Sequence, residues 1–415
     1  MHLGSPPNQA QYFPRVIVNH RVVGVHPVIK EQESKRGIDA SKSSHSGLDH
    51  SPVEELARIW QELLHVDAVS PDQNFFDLGG DSSLGVQMFS RIEEIFGVKL
   101  PLATLYDAPT IEELSRILEG KVSAPGWSPL VAIQTTGSRP PFFCVHGAGG
   151  TVLIYRDLAH HLGPDQPFYG LQSVGLDGDR LPVTKIEEIA AVYVEEIQKV
   201  QPVGPYFLGG YCLGGTIAFE MAQQLSRRGE TVALLVLLDT MNWHKVPLNV
   251  WTKGSHAIQQ WFFHLASFLS LDFDGKKKFF KGKLEVLRNR LPVWRGMVAS
   301  RVFGASDEQA DNSSILSQIW MANDRACWNY LPEPYPGVVT DVRPKKQYRV
   351  FSKPGLKWDG LAQGGQEIVV LPVYPASMLV EPFVEHLAPA LRGLIDKAAH
   401  HLSETRSAES VVSRS

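Results

Sequence analysis

Little in this chain points outside the cell or into a membrane. Three cysteines, Cys144, Cys212 and Cys327, in 415 residues make no disulfide framework, so a reducing, cytoplasmic setting is expected. No stretch approaches the roughly 18 to 20 uninterrupted apolar residues of a membrane span. The first residues lack the basic-then-apolar order of a secretory signal. Charge is almost balanced, at a formal −4, which gives no general attraction to nucleic acid or to an anionic membrane. HExxH, paired CxxC and Walker-loop signatures are missing too, so no metal or nucleotide site is read from the sequence. With 43% hydrophobic and 20% charged residues, a chain of this length suits two soluble globular domains plus tails.

What is present falls into blocks. Residues 1–50 hold one short β-like patch, "RVIVNHRVVGV", and then a polar stretch, and read as a flexible tail. From Ser51 the pattern turns helical. "SPVEELARIWQELL" carries Val53, Leu56, Ile59, Trp60, Leu63 and Leu64 at helical spacing, with Ser51 as N-cap, Pro52 in the first turn and Glu54 three residues after the cap. "SSLGVQMFSRIEEIF" and "TIEELSRIL", the latter capped by Thr110, complete a small all-α bundle over 51–119, with "VKLPLATLYDAP" as a connecting turn. A Gly/Ser/Pro linker, 120–129, follows. Over 130–395 short apolar runs ("PPFFCVHGAGG", "PFYGLQS", "PYFLGGY", "VALLVLLDT", "QYRVFSK") alternate with helical segments, which predicts a mostly parallel sheet covered on both faces. Residues from about 246 to 330 break the rhythm and read as a helical lid insertion; 396–415 read as a flexible tail.

Two places carry chemistry. In "FFDLGGDSS" the glycines Gly79 and Gly80 let the chain turn tightly, and Ser82 lies at a helix N-terminus where a phosphodiester would meet the positive end of the dipole. A plain Ser/Asp helix cap is the ordinary reading of such residues. In "LGGYCLGG" the residues Gly210, Tyr211, Cys212, Leu213 and Gly214 fill the frame G-x-S-x-G, with cysteine at the nucleophile position. Gly210, Gly214 and Gly215 remove side chains where strand and helix pack closely. The helix after Cys212 aims free N–H groups at its sulfur, which predicts a lowered thiol pKa. Most free cysteines are small buried hydrophobes, and that reading fits Cys144 and Cys327. Asp239 ends the run "VALLVLLD", at the tip of the next strand beside the elbow, where a carboxylate reaches the site.

The span 51–119 resembles an acyl or peptidyl carrier domain, whose LGG[HD]S serine bears a 4′-phosphopantetheine arm; Ser82 matches that serine and Asp81 the residue before it. Residues 130–395 resemble the α/β-hydrolase thioesterase domains that end polyketide and nonribosomal peptide assembly lines, through "FFCVHGAGG", "GPYFLGGYCLGGTIAFEMAQQL" and "NYLPEPYPGVVTDVRPKKQYRVF". The resemblance implies oxyanion donors at the backbone N–H groups of Ala148 and Leu213, and makes Asp239 the triad acid. It also implies partners: a phosphopantetheinyl transferase, upstream adenylation and condensation or polyketide synthase modules, an acyl or peptidyl substrate and an amine acceptor.

The base departs from the family pattern. Where the family has P-G-x-H-x-x-M-L-x-x-P, this chain reads "LPVYPASMLVEP"; aligning Pro372, Met378, Leu379 and Pro382 puts Pro375 at the histidine. Proline neither accepts a proton nor orients a thiol. His244 and His146 are the candidate replacement bases, ahead of His256, His264 and His386. A serine without its histidine loses about 10⁶ in rate, whereas a thiol is already a few per cent ionised near pH 7, so cysteine and the missing histidine are mutually consistent. The expected activity is assembly-line offloading, with transfer of an acyl group from the Ser82 arm to Cys212 and on to an amine or another nucleophile. Hydrolysis to a free acid and a catalytically degenerate domain that only binds the carrier arm remain as alternatives. Trp261, Phe262, Phe263, Phe268 and Leu269 are candidates for an acyl pocket under the lid. Lys276 to Lys278, Lys281 and Lys283 form either a phosphate-facing patch or a solvated face.

Overall fold

The computed structural model describes residues 51–80, 82–123, 126–242, 259, 262, 263, 265, 266, 269, 315–347, 358, 360–375 and 377–412. The chain divides into residues 1–49 and residues 50–415. The expected N-terminal tail, most of the expected lid, and the lysine-rich run lie outside the described residues.

The helical bundle forms where the apolar spacing places it. Helix α1 (Pro52–Leu64) opens on a complete capping box: the Ser51 hydroxyl accepts from the Glu54 N–H (3.3 Å) and the Glu54 carboxylate accepts from the Ser51 N–H (3.2 Å). These bonds satisfy two of the amides that a helix start leaves orphaned. Helix α2 (Ser82–Phe96) follows the Gly79 turn, which takes φ +94. The connection after it contains a one-turn helix, α3 (Thr104–Asp107), and α4 (Ile111–Leu118) starts on a second capping box, at Thr110. Leu56, Trp60, Met88, Ile92, Leu105 and Leu114 fill the bundle interior, with Trp60 edge-on to Phe75 at 5.2 Å between ring centres.

The second part is a seven-stranded sheet in the order β1-β3-β2-β4-β5-β6-β7. Its strands are β1 (Leu130–Gln134), β2 (Phe142–Val145), β3 (Phe168–Leu171), β4 (Tyr206–Tyr211), β5 (Val232–Leu238), β6 (Val339–Pro344) and β7 (Gln366–Leu371). All pairs are parallel except β1 with β3. Parallel strands need crossovers, and helices supply them on both faces. On one face lie α6 (Ile186–Val200), α7 (Leu213–Arg227) and part of α8 (Ile315–Asn329). On the other lie α5 (Arg156–Leu162) and α9 (Val384–Val412). Ile217, Phe219, Met221 and Leu225 of α7 are all at 0% exposure, each contributing about 1.5–3 kcal/mol of burial. This is the expected α/β-hydrolase arrangement of a mostly parallel sheet.

One boundary differs from the sequence reading: 396–412 continues α9 where a tail was expected, because Ala398, Ala399 and Leu402 extend the apolar stripe onto the core. The strand after α8 is Val339–Pro344, paired with β5 and β7; of the expected strand "QYRVFSK", all but Gln347 lies outside the described residues. Among the described residues no helix is long and apolar enough to cross a membrane.

Candidate active site

Cys212 sits between β4 and α7 with φ 55 and ψ −114, a conformation that L-residues rarely hold. Its surroundings impose that strain. The Cys212 N–H donates to the Leu238 carbonyl (2.9 Å) at the end of β5. A Cβ on Gly214 would fall 2.1 Å from the Val145 carbonyl oxygen, and one on Gly210 would fall 2.1 Å from the carbonyl of Gly214. Both positions therefore require glycine, as the elbow spacing predicts. Asp239 follows β5 directly, also at positive φ (45), with its N–H donating to the Val342 carbonyl of β6 (2.9 Å).

Two groups act on the half-buried Cys212 thiol besides burial itself. Burial pushes its pKa up to about 11, the Asp239 carboxylate adds to the rise, and the Leu213 N–H opposes it. Asp239 and Leu213 are thus brought to the sulfur as expected. The lowered thiol pKa expected from the α7 N-terminus is overturned. A helix end is worth about 0.3–1 kcal/mol to a charge, less than one pKa unit, whereas burial and a like-charge neighbour each move a group by more.

The loop after β2 carries the second oxyanion candidate. Ala148 is half-buried, and its carbonyl accepts from the Asn323 Nδ2 (3.0 Å) of α8. Asn323 is fully buried, and among the described residues its Oδ1 has no hydrogen-bond partner. Sequence reasoning missed it, since a lone asparagine in a lid-exit helix carries no motif. The same face of α8, read every fourth residue, carries Ile315, Ile319, Asn323 and Cys327. Ile315 lines a cleft against Val86, Phe89, Trp127 and Leu176, beginning one helical turn past Ser82. Ile319 abuts Gly150, Asn323 holds Ala148, and Cys327 lies close enough to Cys212 for that sulfur to add to the cost of ionising Cys327. Burial comes first in pushing the Cys327 thiol up to about 12. Cys144 is fully buried in β2, also pushed up to about 12 by burial, as a structural cysteine should be.

The candidate bases fare differently. His146 has 0% exposure; its Nδ1 donates to the Gly147 carbonyl (2.6 Å) and its Nε2 meets the Tyr193 hydroxyl (2.8 Å). Burial lowers its pKa to about 4. With both nitrogens committed, His146 shapes the loop, and the base role expected of it is corrected. His244 lies outside the described residues, as do His256 and His264, and His386 is exposed on α9. Pro375 is buried in the turn after β7, the position where the sequence alignment expects a histidine. Of the expected pocket residues, Phe263 meets Tyr374 at 6.1 Å between ring centres, Phe262 and Leu269 are exposed, and Trp261 and Phe268 lie outside the described residues. Ser82 opens α2.

Comparison with known proteins agrees with this division. Residues 54–118 match the family described as phosphopantetheine attachment site, and residues 140–296 match the thioesterase domain. A dimodular nonribosomal peptide synthase of Bacillus subtilis (strain 168) is 44% identical over 48% of this chain and 8% of its own length. Malpinin synthetase of Mortierella alpina is 45% identical over 45% and 2%, and indigoidine synthase of Dickeya dadantii (strain 3937) is 40% identical over 45% and 13%. The chain thus spans a small fraction of the curated relatives it matches. Among solved structures, a holo four-domain nonribosomal peptide synthetase is 26% identical over 87% of this chain and 27% of its own, with a TM-score of 0.49. The NocB thioesterase domain, in covalent complex with a nocardicin G analogue, is 21% identical over 65% of this chain and 100% of its own, with a TM-score of 0.46. A domain of the first kind holds a covalent 4′-phosphopantetheine group. This chain joins a phosphopantetheine carrier domain to a thioesterase domain, the pairing of nonribosomal peptide assembly lines.

Proposed function

We propose that the chain offloads an assembly line: an acyl, aminoacyl or peptidyl group held by the carrier moves to Cys212 and then to an amine or another nucleophile. Ser82, at the N-terminus of α2, is the attachment point, reached by a phosphopantetheinyl transferase, with adenylation and condensation or polyketide synthase modules upstream. The arm supplies the acyl group as a thioester. The Cys212 sulfur attacks the acyl carbon, the carrier C–S bond breaks, and the Cys212 proton ends on the departing thiol. The Leu213 N–H, already facing the sulfur, and the Ala148 N–H are the donors for the developing oxyanion. Asp239 is the group beside the thiol able to receive its proton.

One observation carries the choice of acceptor: Pro375 is buried in the turn after β7, the position at which the family pattern would put a histidine able to activate water. Acyl-Cys212 is then poor at hydrolysis and open to an unprotonated amine, which needs no base. The reading of the domain as a mere holder of the carrier arm draws on the raised Cys212 thiol. The test is product partition. Carrier loaded from acyl- and aminoacyl-coenzyme A is incubated with and without amines, and amide and acid are counted. Amide in excess, dependent on Cys212, supports the proposal; free acid alone, from every chain tested, refutes it. Equal turnover in Cys212→Ala would establish the holder reading.

A further inference from the structure

The carrier domain meets the thioesterase domain at the Lys99–Asp179 ion pair, at the cleft that Ile315 lines, and at a short turn, Val152–Arg156, that leaves the oxyanion loop. The Tyr106 hydroxyl, on α3 of the carrier, donates to the Val152 carbonyl at 2.7 Å. Leu153, 8% exposed, sits in the carrier's own apolar core, while Ala103 and Tyr106 pack against the core of the sheet. Arg156 pairs with Asp77 (3.3 Å) and lies 4.7 Å from the centre of the Phe76 ring, both on the carrier. Between these anchors stands Tyr155, fully buried. Its hydroxyl donates to the Val145 carbonyl at the end of β2 and accepts from the Tyr211 N–H (3.3 Å) at the end of β4. Val145 is the residue whose carbonyl Gly214 approaches, and Tyr211 immediately precedes Cys212.

We infer that the carrier is a working part of the transfer site: Tyr106 is a positioning residue that fixes the Val152–Arg156 turn, and through Tyr155 the ends of β2 and β4 that aim the oxyanion loop and Cys212. Tyr106 touches neither substrate nor sulfur. A hydroxyl donated across a domain boundary to a main-chain carbonyl is a directional constraint. When the carrier leaves, the Val152 carbonyl keeps only the Tyr155 N–H, Leu153 loses its cover, and Arg156 loses Asp77 and Phe76 and keeps Asp157. The site is then complete only with the chain's own carrier seated, which makes delivery from Ser82 to Cys212 intramolecular. This rests on the transfer reading above for its activity, and on the hydrogen bonds alone for its structural content.

Two readouts on the full apo chain separate the two. In the first, acylation of Cys212 by a soluble acyl-N-acetylcysteamine thioester, followed by peptide mass spectrometry, is compared for wild type, Tyr106→Phe and Arg156→Gln. Because losing one whole oxyanion donor costs about 10²–10³ in rate, a loosened one predicts a fall of about tenfold in maximal rate for Tyr106→Phe, a smaller fall for Arg156→Gln, and no change in KM. In the second, amide hydrogen exchange follows residues 143–151 and 209–214, which should exchange about tenfold faster in Tyr106→Phe while the rest of the sheet is unchanged. Wild-type exchange in those two segments, or a rise spread over the whole chain, overturns the inference. So does an unchanged acylation rate in a wild type that acylates Cys212. A wild type that never acylates Cys212 sinks the transfer reading instead, and the exchange measurement still decides this one.

Discussion

Cys212 stands at the nucleophile position of the elbow frame, in surroundings that hold its proton on. A thiol of pKa about 11 is ionised to roughly one part in 10⁴ at pH 7, against a few per cent for a free one. The higher pKa makes the thiolate intrinsically more reactive, by about tenfold for a rise of this size. The fall in thiolate fraction is larger and wins, so the resting site is slower than a bare thiol by one to two powers of ten. The reactive form is the deprotonated one and the folded pKa is raised, so reactivity must climb with pH until about 11. Alkylation of Cys212 by iodoacetamide should rise about tenfold per pH unit from 7 to 10; a plateau below pH 9 would mean a low-pKa thiolate. Pro375 is the second decisive residue. Pro375→His restores a ring nitrogen to the turn after β7, and the free-acid yield in the absence of amine should rise by about 10²–10⁴, the usual worth of a positioned base. No rise would show that this turn does not face the acyl group.

The elements that carry these residues were legible to different degrees. α1 and α4 could be read from caps and apolar spacing, and α6 and α7, which have no side-chain cap, from their sequence pattern between the strands. The elbow could be read because its frame is contiguous in sequence, although Gly214 answers to the Val145 carbonyl of β2 and Gly215 to the Thr240 side chain. β6 was not read as a strand of its own, since a six-residue strand buried at Val339 and Val342 has no long apolar run. The role of α8 was invisible, since its inner face is a mixture of Ile315, Ile319, Asn323 and Cys327 with no apolar period to mark it. Twelve residues of helix cover about 18 Å, so this one face runs from the carrier cleft to the neighbourhood of Cys212. Asn323→Ala removes the donor to Ala148 and leaves a carbonyl unpaired, at about 1–3 kcal/mol. Thermal unfolding should shift downward by a few degrees, and Cys212 acylation should slow by more than the stability loss explains at 25 °C. Unchanged acylation in a destabilised variant would reduce Asn323 to packing.

At the scale of the molecule, the two-domain division was read from composition and motif, and the family matches fall at residues 54–118 and 140–296. The seam between the domains did not. Tyr106 lay in what the sequence gives as a connecting turn and Arg156 on an ordinary helix; contacts across a boundary obey no period, so nothing local announces them. The proline at the position of the family's histidine was legible, but the price of burying the thiol was not, because exposure is a property of the folded site. The measurement that bears most directly on the whole account is where the acyl group sits. The carrier is loaded enzymatically, quenched at short times, and digested for mass spectrometry in wild type and Cys212→Ala. The account predicts acyl mass leaving the Ser82 peptide, appearing on the Cys212 peptide in wild type only, and discharging when an amine is added. Acyl mass that stays on Ser82, or leaves it equally fast in Cys212→Ala, would contradict it.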